Sequence, residues 1–347
     1  MCLRKLECEA RWMTLLTVLF LPHAGQTQSE HVFTLSNVRA RPLAMGGAYT
    51  SVEDDLASPL FNPAAYFVRN REQSWGAIFV SPVSPVVAIA RRNELFSGEG
   101  NLVDDVLMAT SLLLKSASLR LTPLRVGVLL GEEGLGRGQM FSTQEITNVE
   151  GYRQNHFHML TVRLQLAEKV SVGASGSWYV SSRPDDPQKR QTGVAMSYGI
   201  LLKPEERLNV GVSFFNIPDS LPQVRLPLER IIDESVNIGA SYRFPTQTLL
   251  SVDLRNLGEE QAEALRELHF GIEQTLWSHL AIRGGFFNQK GGTNVYSFGV
   301  SLLNGTKLWR KDPAIEYENF YLNYAFVLEK GPERDTRWHF FHLLIRI

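Results

Sequence analysis

Apolar and polar residues alternate with a period of two along most of the chain beyond residue 110. In the segment 170–180, the sequence VSVGASGSWYV places valine, alanine and tryptophan on one face and serine and glycine on the other. The same alternation recurs in 208–214, 236–244 and 250–255. Successive side chains of a strand point to opposite faces. These segments therefore predict β-strands of about ten residues with one apolar and one polar face.

Two architectures produce this pattern: a soluble sandwich, which packs its apolar faces together, and a membrane barrel, which turns them toward lipid. Strands of globular proteins are usually about 5–6 residues long, whereas a tilted strand that spans a bilayer needs about 9–11. The connections also alternate between long loops, such as 132–155 and 219–233, and tight turns, such as 122–123 and 167–169. Long loops on one rim and short turns on the other are typical of outer-membrane barrels. One connection, NGTKLWRKDPA in 304–314, departs from this rhythm because it should be short.

Aromatic residues at the strand ends also favour the barrel. Two bands of them are expected where amphipathic rings meet lipid headgroups at the two surfaces of a membrane. Trp277 and Trp309 fall at the short-turn ends. The long-loop ends carry Trp178, Tyr179, Phe214, Phe215, Phe286, Phe287, Tyr324, Phe326 and Trp338.

The number of strands follows from the two ends of the chain. The last ten residues, WHFFHLLIRI, alternate up to the C-terminus and predict a closing strand. The alternation gives one strand too many if both WGAIFV (75–80) and PVVAIAR (85–91) are counted, because a barrel with both termini in the periplasm needs an even number. The sequence thus predicts an all-β fold, a 14-stranded antiparallel transmembrane barrel.

The first 25 residues have the layout of a secretory signal peptide. A basic stretch, MCLRKLECEAR, precedes the apolar run Trp12–Pro22, which is too short to span a bilayer. We expect cleavage between Ala24 and Thr27; the alternative is a buried N-terminal helix. Both cysteines, Cys2 and Cys8, precede the apolar run, so the exported chain would have no disulfide framework and no thiolate metal site.

Composition excludes one class of partner. The 347 residues are 44% hydrophobic and 20% charged, with a formal net charge of -1. This balance leaves no basic excess to neutralise phosphates, and a nucleic-acid partner is not expected. Export without cysteines fits a bacterial envelope better than a disulfide-stapled secreted domain.

The segment 26–72, ahead of the first barrel strand, is rich in turn-forming residues and does not alternate. Gly46 and Gly47 allow backbone conformations that other residues cannot reach. Asp54 and Asp55 can cap backbone N–H groups or pair with arginines of the lumen. A barrel of 14 strands is too wide for its own side chains to fill, so we predict that the part Glu30–Arg71 folds inside the lumen as a plug. The predicted lumen lining includes Asn209, Arg243, Asp253, Arg255, Glu273 and Arg283.

The stretch RARPLAMGGAYTSVEDDLASPLFNPAA (39–65) resembles the N-terminal signature of the FadL-like outer-membrane barrels, in particular their PorV/PorQ branch. Ala65 departs from it, since the family usually has glycine there. The C-terminal hairpin, 323–347, resembles the closing hairpin of the family, but ends in Ile347 instead of the usual phenylalanine. The middle of the chain matches in pattern only. The matching hatch residues are Met45, Gly46, Gly47, Ala48, Asp54, Asp55, Phe61, Asn62, Pro63 and Ala64.

The resemblance implies a 14-stranded barrel closed by an N-terminal hatch that carries these residues. In the fatty-acid transporters of this superfamily the hatch gates the passage of hydrophobic molecules, whereas the PorV branch works with type IX protein secretion. We therefore expect a plugged bacterial outer-membrane barrel that acts in protein secretion or envelope assembly. The alternative is passive transport of hydrophobic small molecules. The expected partners are outer-membrane lipid and either secretion-machinery proteins or a hydrophobic ligand.

No catalytic or metal-binding constellation stands out. His156 and His158 share a strand face, but no third ligand follows at a matching spacing. The serines of the polar faces lack the G-x-S-x-G context of a nucleophile. We predict no turnover, no metal and no cofactor. The predicted organisation is a signal peptide (1–25), a hatch (26–72) and a barrel (73–347).

Overall fold

The structure is a computed structural model that describes residues 30–35, 38–53, 56–66, 75–80, 102–111, 114–133, 155–182, 190–216, 235–257, 266–276, 280–289, 292–302, 320–331 and 335–346. These residues form one large β-sheet. Its strands are β1 (Glu30–Leu35), β2 (Trp75–Val80), β3 (Leu114–Leu121), β4 (Leu124–Glu133), β5 (Asn155–Ala167), β6 (Val170–Ser182), β7 (Arg190–Glu205), β8 (Leu208–Asn216), β9 (Ser235–Arg243), β10 (Thr248–Leu257), β11 (Glu267–Leu276), β12 (Leu280–Gln289), β13 (Thr293–Leu302), β14 (Phe320–Lys330) and β15 (Asp335–Arg346).

The sheet closes on itself. From β2 to β15, each strand pairs with the next in antiparallel fashion, and β15 pairs with β2. Within the described residues, the fourteen strands β2–β15 therefore form a closed barrel, and the predicted all-β, 14-stranded fold is confirmed. Of the two competing N-terminal segments, WGAIFV is β2, while 85–91 lies outside the described residues.

Apolar side chains cover the outside of the barrel, and polar side chains line the inside. The reversal is clearest on β11, where a leucine, a phenylalanine and an isoleucine are exposed between buried charged residues. A soluble protein would bury the apolar face instead, whereas lipid accepts it. A barrel closed in this way satisfies the backbone groups of its strands within the hydrocarbon, and the protein is a bacterial outer-membrane barrel. The exposed residues of β11 are Leu268, Phe270 and Ile272, and the buried ones include Glu267, His269 and Glu273.

The two ends of the barrel differ. We define the turn rim as the end where strands join through 122–123, 168–169, 206–207 and 244–247. The loop rim is the opposite end, where connections such as 134–154 and 217–234 begin. Short turns face the periplasm in outer-membrane barrels, and we assign the turn rim to that side. The exceptional connection 303–319 lies outside the described residues.

Residues Glu30–Leu35 depart from the prediction that they belong to the plug. They form β1, which pairs in parallel with β15 along Thr336–Phe341. The reason is local: EHVFTL contains β-branched and aromatic residues and no glycine or proline, so it favours an extended strand. The chain enters the lumen only after β1.

The described parts of the plug, 38–53 and 56–66, contain little regular structure and are almost entirely buried within the barrel. We call them the hatch. It holds the short helix α1 (Ala40–Ala44) and two 3₁₀ turns, Ser58–Leu60 and Pro63–Ala65. The second turn is capped by Asn62, whose side chain accepts a hydrogen bond from the N–H of Ala64 at 2.9 Å.

A longer helix, α2 (Leu102–Ser111), precedes β3. No helix in the described ranges is long and apolar enough to cross a bilayer. The predicted signal peptide lies outside those ranges.

Candidate functional site

The candidate site is the contact between the hatch and the barrel wall. The carboxylate of Asp253 on β10 accepts hydrogen bonds from the backbone N–H groups of Tyr49 at 2.7 Å and Thr50 at 2.8 Å. Asp253 is fully buried. A carboxylate buried away from water must be hydrogen-bonded or paired to be tolerated. Asp253 therefore fixes the middle of the hatch to the wall.

Two glycines of the hatch bring its backbone against neighbouring strands. Gly46 and Gly47 have φ angles of 63° and 75°, a region that residues with a side chain rarely adopt. Their carbonyl groups accept hydrogen bonds from the wall: Gly46 from Nδ1 of His269 at 2.6 Å, and Gly47 from Arg255. A side chain on Gly46 would also meet the backbone of Phe270 at 2.7 Å. Glycine is therefore needed at both positions. It adopts these φ angles readily, and it lets the hatch backbone lie close to β11.

An ion-pair cluster joins α1 to β11 and β12. Glu273 accepts two hydrogen bonds from Arg41 of the hatch, at 2.7 and 2.8 Å, and one from Arg283 of the wall at 2.6 Å. Glu273 and Arg283 are buried, and Arg41 is mostly buried. One carboxylate thus compensates two guanidinium groups, one from the hatch and one from the wall.

The opposite side of the hatch is held by a second ion-pair cluster. Glu53 of the hatch pairs with Arg163 of β5 at 3.0 Å and with Lys203 of β7 at 2.6 Å. Arg163 also donates to the carbonyl of Tyr66 at 2.7 Å. Asn62 donates to the carbonyl of Ile200 on β7 at 3.1 Å. The hatch is consequently anchored around the lumen, and not at one point.

A third anchor fixes the point where the chain enters the lumen. Glu132 of β4 is fully buried and accepts hydrogen bonds from the N–H of Val38 at 3.1 Å and from Arg39 at 3.2 Å. Its other oxygen pairs with Lys115 of β3 at 2.7 Å. Lys115 is the extra residue of a β-bulge on β3, between the partners of Ile78 and Phe79.

Glycines on eight strands let the hatch backbone lie directly on the wall. A Cβ atom added to any of them would collide with the hatch or with a side chain that holds it. For example, a Cβ atom added to Gly271 would lie 2.9 Å from Cβ of Met45. The hatch therefore fits the wall closely, as expected of a close-packed interior. The wall glycines are Gly127, Gly173, Gly199, Gly211, Gly239, Gly271, Gly285 and Gly299.

Most apolar wall residues that contact the hatch lie in the half of the lumen next to the loop rim, where buried charged residues such as Glu132 and Glu267 also lie. Leu249, near the turn rim, is an exception. One cluster joins the hatch to Leu129, Phe157 and Met159 of β4 and β5. A second cluster packs α1 against the inner faces of β12–β15. The wall members of that second cluster are Phe287, Val295, Ala325, Val327, Trp338 and Phe340.

Polar side chains line both halves of the lumen. Near the turn rim, Ser171, Ser241 and Ser301 are buried on inner faces and Asn209 is partly buried. The side chains of Asn209 and Ser241 both donate to the carbonyl of Ser51 in the hatch, at 3.2 Å each. Hence polar contacts hold the hatch at both rims, and apolar wall contacts are added mainly on the loop side.

The predicted site residues have different outcomes. Met45, Phe61, Pro63 and Ala64 lie buried in the hatch together with Gly46, Gly47, Ala48 and Asn62. Asp54 and Asp55 lie outside the described residues, and their role stays a prediction. Among the predicted lining residues, Asn209, Asp253, Arg255, Glu273 and Arg283 contact the hatch or its ion pairs. Arg243 is half-buried on the turn-rim end of β9.

Several contact residues were not predicted from the sequence. Glu132, Glu53 and Arg163 carry two of the three ion-pair anchors. The wall glycines did leave a signal, because Gly173, Gly211 and Gly239 interrupt the polar face of their strands. Glycine inside a strand often marks a close approach of another backbone.

The histidines of β5 do not form a metal site with their described neighbours. His156 and His158 contact each other edge to face, with ring centroids 5.3 Å apart, and Nδ1 of His158 accepts the N–H of Gly131 at 3.1 Å. Across the described ranges, no group of three or more His, Cys, Asp or Glu residues is arranged to hold a metal ion.

Comparisons with known proteins give weak structural likenesses. No family model and no curated protein matches the chain. The toluene transporter TodX of Pseudomonas putida is similar over 91% of this chain and 98% of its own, with 13% sequence identity and a TM-score of 0.48. A porin variant of Rhodopseudomonas blastica is similar over 67% of this chain and 78% of its own, with 8% identity and a TM-score of 0.36. At these values the likenesses carry no argument about function, and the fold follows from the strand pairing itself.

Proposed function

We propose that the protein is a passive transporter that lets hydrophobic small molecules cross the outer membrane, with the hatch as its gate. The observation that carries the proposal is that two apolar clusters join the hatch to the wall, and that most of their wall residues lie in the half of the lumen next to the loop rim. The hatch sequence resembles that of the FadL-like barrels, which is compatible with transport and with the secretion role of the PorV/PorQ branch. The first expectation, a role in protein secretion, has no feature in the described residues that supports it.

The apolar wall residues near the loop rim suit a hydrophobic molecule that arrives from outside. Phe157, Met159 and Leu129 of the wall share one apolar cluster with Phe61 and Tyr49 of the hatch. Transfer from water to such a surface is favourable in proportion to the apolar area removed from water, at about 25 cal/mol per Å². A polar solute gains nothing there. The lumen would thus select by hydrophobicity at its outer half.

Passage needs movement of the hatch, because hatch and wall are closely packed all round. The contacts that must break are mostly ion pairs and hydrogen bonds, including those of Glu273 with Arg41 and of Asp253 with Thr50. Charged and polar groups can regain water when the hatch shifts, so a polar seal is reversible. The closed state is nevertheless the resting state, since the carboxylates of Glu273, Glu53 and Glu132 are each paired with cations there.

Uptake by bacterial cells that express the protein tests this proposal. We expect a radiolabelled alkylbenzene to enter these cells faster than cells with an empty vector, with no gain for a sugar of similar size. Met159→Gln places a polar amide in the apolar cluster at nearly constant volume, and should lower uptake of the alkylbenzene. Met196→Gln is the matched control because Met196 lies on the outer face of β7. Equal uptake with and without the protein would contradict the proposal.

A further inference from the structure

The barrel closes through two separate pairings of β15. Near the turn rim, Leu344, Ile345 and Arg346 pair with β2; we call this the lower seam. Nearer the loop rim, Thr336–Phe341 pair with β1; we call this the upper seam. Within the described residues, the first barrel strand meets the last along three residue pairs only, and the N-terminal strand takes its place beyond them.

We propose that β1 is a latch: the hatch opens only when β1 separates from β15, while the lower seam keeps the barrel closed. The transport consequence of this proposal rests on the proposed function, whereas the separation of β1 does not. The reasons lie in the length of the chain between β1 and the hatch, and in the shared contacts of both with β15.

The connection from β1 to the hatch is short. Leu35 ends β1 and Ala40 begins α1, so five residue steps separate them. A fully extended chain covers about 3.3–3.6 Å per residue, which limits this tether to roughly 17 Å. On the other side, nine steps separate Tyr66 from Trp75, which allows roughly 30 Å. A hatch that moves must therefore swing on its C-terminal side, and its N-terminal side is the restraint.

Both β1 and α1 hold the same stretch of β15. Val32 and Thr34 of β1 are the register partners of Trp338 and Phe340. The side chains of these two β15 residues pack in the apolar cluster that contains Leu43 of α1. With β1 in place, α1 is kept beside the strand that it packs on. Release of β1 removes the backbone restraint on α1 and leaves only the side-chain contacts between α1 and β15.

The latch is closed at rest for a physical reason. If β1 leaves, the backbone groups of Thr336–Phe341 lose their partners at the wall of a membrane barrel, where water does not replace them freely. The separated state is therefore rare. A parallel pair is slightly less stable per residue than an antiparallel one, and the upper seam has six register pairs against the eleven antiparallel pairs that join β15 to β14. The upper seam therefore separates more readily than the pairing of β15 with β14.

Reversible disulfides test the latch. Glu30 and Thr336 are register partners in the upper seam, and Val80 and Leu344 are register partners in the lower seam. Adjacent strands lie about 4.8 Å apart, within the Cα separation that a disulfide accepts. One variant is Glu30→Cys with Thr336→Cys, and its matched control is Val80→Cys with Leu344→Cys. The native Cys2 and Cys8 are replaced by serine in both variants.

Under oxidising conditions, we expect alkylbenzene uptake to fall about tenfold or more in the upper-seam variant, because the crosslink removes the minor state through which the hatch moves. Reductant should restore uptake, and the oxidised lower-seam variant should transport like the parent. Unchanged uptake with a fully formed upper-seam disulfide would overturn the latch.

Hydrogen exchange of the unmodified barrel tests the separation of β1 from β15 independently of transport. The backbone N–H groups of β1 should exchange at least about a hundredfold faster than those that join β14 to β15, because the seam separates without opening the barrel. Equal protection of the two pairings would overturn the proposal. Absence of uptake in every variant, with fast exchange in β1, would reject the transport function and keep the latch.

Discussion

At the scale of single residues, the hatch is held by charges that face inward from strands whose outer faces are apolar. Glu273 and Glu132 of the wall each contact a cation of the wall and a group of the hatch, and Glu53 of the hatch contacts two cations of the wall. Glu53 and Arg39 belong to the hatch, whereas Glu132 and Glu273 belong to the wall. The hatch therefore contributes an acid to one anchor and a base to another. Removal of one member leaves its partners buried without compensation, which costs more than the pair itself contributes.

The first prediction concerns Glu273→Gln. The glutamine keeps the size of the side chain but leaves Arg41 and Arg283 without a counter-charge. We expect the hatch–wall contact to weaken by about 3 kcal/mol, which raises the population of a displaced hatch by about a hundredfold. Single-channel recording in planar bilayers should show more frequent openings. Glu205→Gln, in a strand end exposed at the turn rim, should behave like the parent. Identical recordings for both variants would mean that Glu273 does not hold the hatch.

The second prediction uses two neighbouring glycines of β12. A Cβ on Gly285 would collide with the backbone of Gly46, whereas a Cβ on Gly284 would meet only Cγ2 of Ile272, at 3.6 Å. Gly285→Ala should therefore displace the hatch, and protease added from the periplasmic side should cleave the hatch faster. Gly284→Ala changes the same strand without touching the hatch and should leave the cleavage rate unchanged. The reverse order of the two rates would refute the close fit described for the wall glycines.

At the scale of elements, the hatch and the barrel are separable. The barrel is a ladder of antiparallel pairs from β2 to β15, and none of the hydrogen bonds of this ladder involves Val38–Tyr66. The hatch, by contrast, has only one short helix and two 3₁₀ turns, and depends on the wall for most of its contacts. The hatch therefore depends on the barrel for its stability, whereas the barrel does not depend on the hatch.

The third prediction follows from this separation. A variant in which a short glycine-serine linker replaces Val38–Tyr66 should still fold as a barrel, because the pairing of β15 with β2 lies outside the deleted segment. Its lumen should be open, since a barrel of 14 strands is too wide for its own side chains to fill. Planar-bilayer conductance should be large and steady, with heat-modifiable gel migration retained. A low conductance together with normal migration would show that other residues close the lumen.

At the scale of the whole molecule, the lipid bilayer decides which face of each strand is apolar. Exposed leucine, isoleucine, valine and phenylalanine residues lie on the outer faces around the barrel. In water such a surface would be an aggregation hazard, whereas in a membrane it is the required exterior. The same strands place serine, asparagine and charged residues inside, where the hatch provides their partners.

The fourth prediction tests the lipid-facing exterior. Val252 lies in the middle of β10 with its side chain outward. Val252→Arg should destabilise the barrel by about 2–4 kcal/mol, the cost of a cation on the lipid face near the bilayer centre. Thr246→Arg, in the turn-rim connection, is the control and should fold like the parent. Urea titration of the protein folded in lipid vesicles measures both. Equal midpoints would contradict the assignment of this face to lipid.

The sequence by itself determined the barrel and the existence of a plug. Strand periodicity is a local property, so the alternation in segments such as 236–244 could be read without knowledge of the neighbours. The turn-rich composition of 26–72 likewise separated the plug from the strands. Glycine, proline and adjacent acids there excluded a regular strand over most of its length.

Only the tertiary structure decided which groups meet. Glu132 and Arg39 are 93 residues apart in the chain, and Arg41 and Glu273 are 232 apart, so no local pattern could pair them. Glu30–Leu35 likewise pair with a strand at the other end of the chain, so no local pattern could show this pairing. A short extended segment is compatible with a plug or with a sheet. Here it joins the sheet because, among the described residues, β2 covers only residues 344–346 of β15, and β1 pairs with 336–341 of the same strand. Local sequence sets the face of each side chain, whereas partners are set by the closure of the barrel.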